Sequence, residues 1–170
     1  MSCLYEFRKR STDFNTAKSQ SNLIPKGTTV KVKMAIKPGG YECWLTKSPT
    51  TGSIYLNAEF TVIEGPYARQ KIYQAIGIKS GKAEGAEDVW GEMGRSMIRS
   101  ILESVRNIHP HDNSEKAVLA RKLNSIADLN GLEFRAKVGI ESDRYGEKNK
   151  ITTVITPQQH QNTEIDWVPF

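Results

Sequence analysis

Lys31, Lys33 and Lys37 take every other side of the stretch GTTVKVKMAIKPGG, and Val30, Val32, Met34 and Ile36 fill the positions between them. Two later alternating stretches carry Tyr55 and Tyr73 opposite their apolar sets, and GLEFRAKVGIE carries Arg135 and Lys137 in the same way. Cations interleaved with aromatic rings on the wet side of a sheet can hold a single-stranded nucleic acid. The cations follow the phosphates while the rings stack on bases, at roughly 1–3 kcal/mol per base. Every base has a face to stack, so such a surface binds without sequence preference. Lys31, Lys33, Tyr55, Tyr73, Arg135 and Lys137 are therefore the candidate DNA-binding residues, with Trp44 on the loop after the first strand. Arg8, Lys9 and Arg10 could extend the phosphate contacts.

Other constellations carry less chemistry. His109-Pro110-His111-Asp112 has metal-ligand residue types, but it sits where a proline should stop one helix and a capping residue start another. The remaining histidine, His160, is far along the chain. Asp128, Glu133 and Lys137 resemble a fragment of a metal-dependent nuclease site, yet Glu133, Arg135 and Lys137 share one wet strand face by parity. The GEMG at 91–94 is followed by no Lys-Ser or Lys-Thr that would hold a nucleotide. No Ser-His-Asp or Cys-His arrangement is visible. The expectation is a protein with no catalytic residues, no metal site and no cofactor.

These side chains need strands to position them. Val30 to Ile36 form one alternating run; Ile54, Leu56, Ala58, Phe60 and Val62 form a second; Ile72, Gln74, Ile76 and Ile78 form a third. Each is an apolar-in, polar-out pattern of period two. Trp90, Met93, Met97, Ile98, Ile101, Leu102, Val105 and Ile108 then recur at three- and four-residue steps, which predicts an amphipathic helix over 89–107. SEKAVLARKL predicts a short second helix capped by Asp112, Asn113 or Ser114. Two more strands follow, with Leu132, Phe134, Ala136, Val138 and Ile140 inward in the first and NKITTVIT as the second. Five strands with a helix between the third and fourth is the order of an OB-fold, a mainly β Greek-key barrel. Other five-stranded α+β layouts share that order. The expected organisation is a basic irregular arm at 1–26, a strand-rich domain at 27–157 and a polar tail at 158–170.

Composition agrees with a nucleic-acid partner. Of 170 residues 38% are apolar, enough for one core, and the formal net charge is +5. The positive charge concentrates at the start, where residues 1–37 hold eight Lys or Arg against two acids. A basic segment attracts polyanions. No stretch approaches the roughly 18 consecutive apolar residues of a membrane span, and the opening residues do not read as a signal peptide. Cys3 and Cys43 have no ligand spacing, so the expected setting is a reducing cytoplasm. A homo-oligomer is compatible with all of this.

The closing stretch QQHQNTEIDWVPF is polar, then acidic, then apolar. It resembles the C-terminal peptide of bacterial and phage single-stranded DNA-binding proteins, in which a polar, Gln/Gly/Pro-rich linker leads to acids, an apolar residue, Pro and a terminal Phe. Here Glu164 and Asp166 supply the acids and Val168, Pro169 and Phe170 the apolar end; Trp167 stands where the family often has another acid. KVKMAIKPGGY, TGSIYLNAEFTVIEGPYARQKIY, GLEFRAKVGIE and YGEKNKI are similar to stretches of phage and prophage proteins often encoded near recombination genes. The resemblance implies a single-stranded DNA-binding protein of replication, recombination or repair. Asp166, Trp167, Val168, Pro169 and Phe170 would then dock partner enzymes. A rival reading is an adaptor whose barrel only carries the tail and has no DNA affinity. A metal-dependent nuclease is a second rival and a strand-annealing protein a close variant.

Overall fold

The computed structural model describes residues 23–81 and 88–157. Most of the predicted basic arm, the centre of the glycine-punctuated loop before the helix, and the tail with Asp166 to Phe170 lie outside the described residues. The chain is mainly β. Its strands are β1 (Thr29–Lys37), β2 (Thr46–Lys47), β3 (Ile54–Val62), β4 (Lys71–Lys79), β5 (Glu133–Asp143) and β6 (Gly146–Val154). Helix α1 (Val89–Val105), the short α2 (Glu115–Ala120) and a 3-10 turn at Ile126–Leu129 separate β4 from β5.

All ladders are antiparallel. β3 lies between β4 and β1, and β1 in turn pairs β5, which pairs β6. The two-residue β2 pairs only the start of β3, at Thr46↔Tyr55 and Lys47↔Ile54. The alternation read from sequence matches the burial: Val30, Val32, Met34 and Ile36 are buried, as are Leu56, Ala58, Phe60 and Val62 on β3. Phe60 and Phe134 meet edge-to-face with centroids 5.9 Å apart, joining the β1–β3 and β1–β5 halves of the core. The core also takes in Ile24, fully buried, from the segment read as an irregular arm. Asn149 holds it there: its amide accepts from the Ile24 N–H (2.8 Å) and donates to the Ile24 carbonyl (2.9 Å). Ordered packing therefore begins before residue 27.

The outer strands β4 and β6 are joined by one side chain. Gln74 Oε1 accepts from the Ile151 N–H (2.8 Å), and Gln74 Nε2 donates to the Ile151 carbonyl (3.4 Å). The amide imitates one pair of a β-ladder and satisfies an inward-facing polar group that would otherwise be costly. Helix α1 packs along β4 and also touches β5 and β6. It starts at Asp88, whose carboxylate accepts from the Gly91 N–H (2.9 Å) and from Ser80 N–H (3.0 Å) at the end of β4. Those bonds hold the Asp88 carboxyl below the usual carboxylate range. The cap's contribution is thus present above the ordinary carboxylate value and lost as pH falls through the lower folded value.

The helix ends before the proline expected to stop it. Asn107 takes the left-handed region at φ 55, and the Ile108 N–H turns back to the Glu103 carbonyl (2.8 Å). α2 is capped by Ser114, whose hydroxyl accepts from the Ala117 N–H (3.2 Å). It stops at Ala120, three residues short of the predicted end, where the Arg121 and Lys122 amides bond in tighter turns.

Two glycines set how closely α1 approaches β4. A Cβ on Gly94 would collide with the backbone of Gly77, and one on Gly77 would fall 2.7–2.9 Å from the Trp90 indole. Gly94→Ala should therefore lower stability by about 2 kcal/mol, overpacking outweighing the gain in helix propensity. A urea midpoint equal to or above that of the unaltered chain would contradict this close contact.

Candidate nucleic-acid interface

Strand parity turns the candidate residues outward, and register decides which become neighbours. Lys31 lies opposite Arg135 and Thr29 opposite Lys137, while Lys33 faces Glu133 on one side and Thr61 on the other. Lys31, Lys33, Arg135 and Lys137 thus form one block on the outer faces of β1 and β5. Two strands over, Tyr73 sits opposite Glu59, and Tyr55 opposite Gly77. Between the tyrosines, the Asn57↔Ala75 pair offers a low floor. Tyr73 is 51% exposed, and the Lys37 ammonium lies 5.0 Å from its ring centroid. A cation over one side of a ring leaves the remaining face to a base.

The face is less purely basic than its cations imply. Lys71 pairs with Glu59 (2.7 Å), and that hydrogen bond raises the Lys71 pKa. Arg135 pairs with Glu64 (2.8 Å). Among the described residues, Lys31, Lys33 and Lys137 have no such carboxylate partner and are the cations most ready for phosphate. Exposed pairs of this kind are worth about 0–1 kcal/mol, so Lys71 and Arg135 can exchange theirs for a phosphate at small cost.

Tyr55 is half-buried and pairs across the ladder with Gly77, which the Trp90 indole covers. Trp44 follows Glu42 and Cys43, both at positive φ, in the turn closed by the Tyr41↔Leu45 bridge. Its ring is half-buried and packs against the core, so it is placed on the predicted loop but does not stand free of it. The turn is tight because the Tyr41 and Leu45 backbones bond each other in both directions, at 3.0 and 2.9 Å.

Several cations outside the candidate set join this region. A groove of about 900 Å³ opens between the start of β4 and the start of β6, lined by Arg69, Lys71, Tyr73 and Lys148. At the tip of the β5–β6 hairpin Tyr145 is 86% exposed, with the Arg144 guanidinium 5.4 Å from its ring centroid. Sequence parity could not find Arg69 or Arg144, because turns have no period. The Arg-Tyr pair at 144–145, beside the turn glycine Gly146, was the available signal.

Residues of the enzyme-like clusters make local hydrogen bonds. Asp128 closes a capping box with Ser125, accepting from its N–H (3.2 Å). His109 Nδ1 accepts from the His111 N–H (3.0 Å), and Asp112 accepts from the Ser114 N–H (2.9 Å), which lowers its pKa. No group of three or more His, Cys, Asp or Glu among the described residues could hold a metal ion. Among the same residues no helix is long and apolar enough to cross a membrane.

No protein-family model and no curated protein matches this chain.

Proposed function

We propose that the chain is an OB-type barrel that binds single-stranded DNA without sequence preference, and that it brings partner proteins of replication, recombination or repair to that DNA through its C-terminal segment. The observation that carries the reading is the outer face itself. An in-register block of Lys31, Lys33, Arg135 and Lys137 adjoins the Lys37–Tyr73 pair and the Arg69–Lys148 groove. The strand order β4–β3–β1–β5–β6, with α1 between β4 and β5 and the Gln74 tie from β4 to β6, is compatible with an OB arrangement and supports this reading. In that arrangement the β1–β3 connection and the β5–β6 hairpin flank the face, which gives Tyr145 and Arg144 a place at its margin. Tyr73 and Tyr55 stack on bases, the lysines and arginines neutralise phosphates, and no residue acts catalytically.

The test is fluorescence anisotropy of labelled oligothymidine over a range of salt. Binding should weaken as salt rises, because neutralised phosphates release counterions. Tyr73→Ala should cost roughly 1–3 kcal/mol, the value of one stacked base, and leave the salt slope unchanged. No binding to oligothymidine at low salt would overturn the proposal and favour the adaptor reading.

A further inference from the structure

The predicted apolar stripe of α1 is longer than the surface it covers. Ile101 and Leu102 are buried, but Trp90 is 41% exposed and Met93 69%. They line a cleft of about 530 Å³ whose other walls are β4 around Gln74–Gly77 and β6 at Lys150–Val154. Met97 lies half-buried between, its sulfur 3.7 Å from Gln74 Nε2. Beyond the Gln74–Ile151 tie, no ladder joins β4 to β6 among the described residues.

The β6 wall of this cleft is a strand edge. The Ile155 N–H donates to the Arg135 carbonyl (2.9 Å), and Val154 pairs Ala136 one step earlier. Antiparallel alternation therefore directs the Val154 N–H and C=O away from β5, toward the cleft. An apolar helix face beside a free strand edge accepts an extended segment with apolar residues on one side. The chain contains such a segment just past β6. In TEIDWV, at 163–168, Ile165 and Trp167 fall on one face and Glu164 and Asp166 on the other. Ile165 lies eight residue steps past Pro157, a reach of up to about 26 Å. That suffices to reverse direction and lie antiparallel to the end of β6. Lys150, on the cleft wall, offers a cation to the acidic face.

We propose that residues 163–168 of this chain dock in the cleft as an added strand on β6, with Ile165 and Trp167 against Trp90 and Met93. The docking does not depend on the nucleic-acid reading. It does mean that a partner recruited by this segment must draw it out of the cleft first, so recruitment competes with self-contact.

Amide hydrogen exchange by NMR on the full chain tests this, with Val154 as the reporter. Trp167→Asp, which removes the ligand, and Met93→Asp, at an exposed position of the cleft, should each speed Val154 exchange about tenfold while the β1 amides keep their protection. Unchanged Val154 exchange in both variants would overturn the docking. Protection that grows with protein concentration would assign the segment to a second copy and overturn the assignment to the same chain. Oligothymidine affinity, measured on the same samples, should be held by Met93→Asp. Absence of oligothymidine binding by the unaltered chain would count against the nucleic-acid reading alone.

Discussion

Glu103→Ala is expected to destabilise the chain by about 3 kcal/mol, the low end of what removing one member of a buried ion pair costs. Glu103 is buried in the last turn of α1, and its Oε2 accepts from Arg121 Nε (2.8 Å) and Arg99 Nε (3.1 Å). Arg121 also donates to the carbonyls of His109 (3.2 Å) and Pro110 (3.3 Å), so one carboxylate ties α1, the turn after it and the end of α2. Without it, the largely buried Arg121 guanidinium keeps as hydrogen-bond acceptors the His109 and Pro110 carbonyls, with the Asp112 carboxylate as its remaining nearby charge. Arg99 is half-exposed and can turn to water, which keeps the cost from the upper end of the range. Glu103→Gln retains an acceptor and should lose about half as much. Urea denaturation of the two variants checks the order. A loss under about 1 kcal/mol for the alanine variant would mean the triad is worth no more than a surface pair.

Sequence parity made the strands legible because each depends on neighbours two residues apart. It placed Val32, Phe60 and Phe134 inward, and it placed Gln74 among them without showing what an inward, half-buried amide would do. The answer is a partner 77 positions away at Ile151, and no local pattern encodes that contact. β2 escaped notice because two residues carry no period, and its strand character comes entirely from the edge of β3. Helix α1 was legible as a stripe, but the stripe does not say how much surface lies opposite it. Glu103, beside Leu102 in that stripe, was passed over; its position four residues after Arg99 was the signal.

The candidate site was half legible for the same reason. Parity says that Lys31 and Arg135 both face outward, while only register makes them opposite neighbours. Neither Glu64 nor Glu59 could be paired with Arg135 or Lys71 from the sequence, since each acid lies on a different strand or turn from its cation. The Arg69–Lys148 groove depends on where the β3–β4 turn meets the start of β6, a relation between segments about eighty residues apart. Trp44 was placed by its loop, but the depth to which its ring packs depends on the core beneath.

Register also yields the sharpest test of the face. A chain carrying Lys31→Gln, Lys33→Gln, Arg135→Gln and Lys137→Gln keeps its strand stems and removes four positive charges from one contiguous block. For single strands each lost phosphate contact lowers the salt slope by about 0.7, so the slope of log affinity against log salt should fall by about 3. At 50 mM salt that corresponds to a loss of roughly several thousandfold, shrinking until the two chains converge near 1 M. Stability should change little, because among the described residues the only ion pair removed is the exposed Arg135–Glu64 contact. The salt dependence separates this effect from that of Tyr73→Ala, which acts through stacking and is felt alike at every salt concentration. An equal loss at all concentrations in the quadruple variant would show that these cations shape the surface without meeting phosphate. An unchanged affinity would move the interface off β1 and β5 altogether, to the Tyr73 and Lys148 side of the sheet.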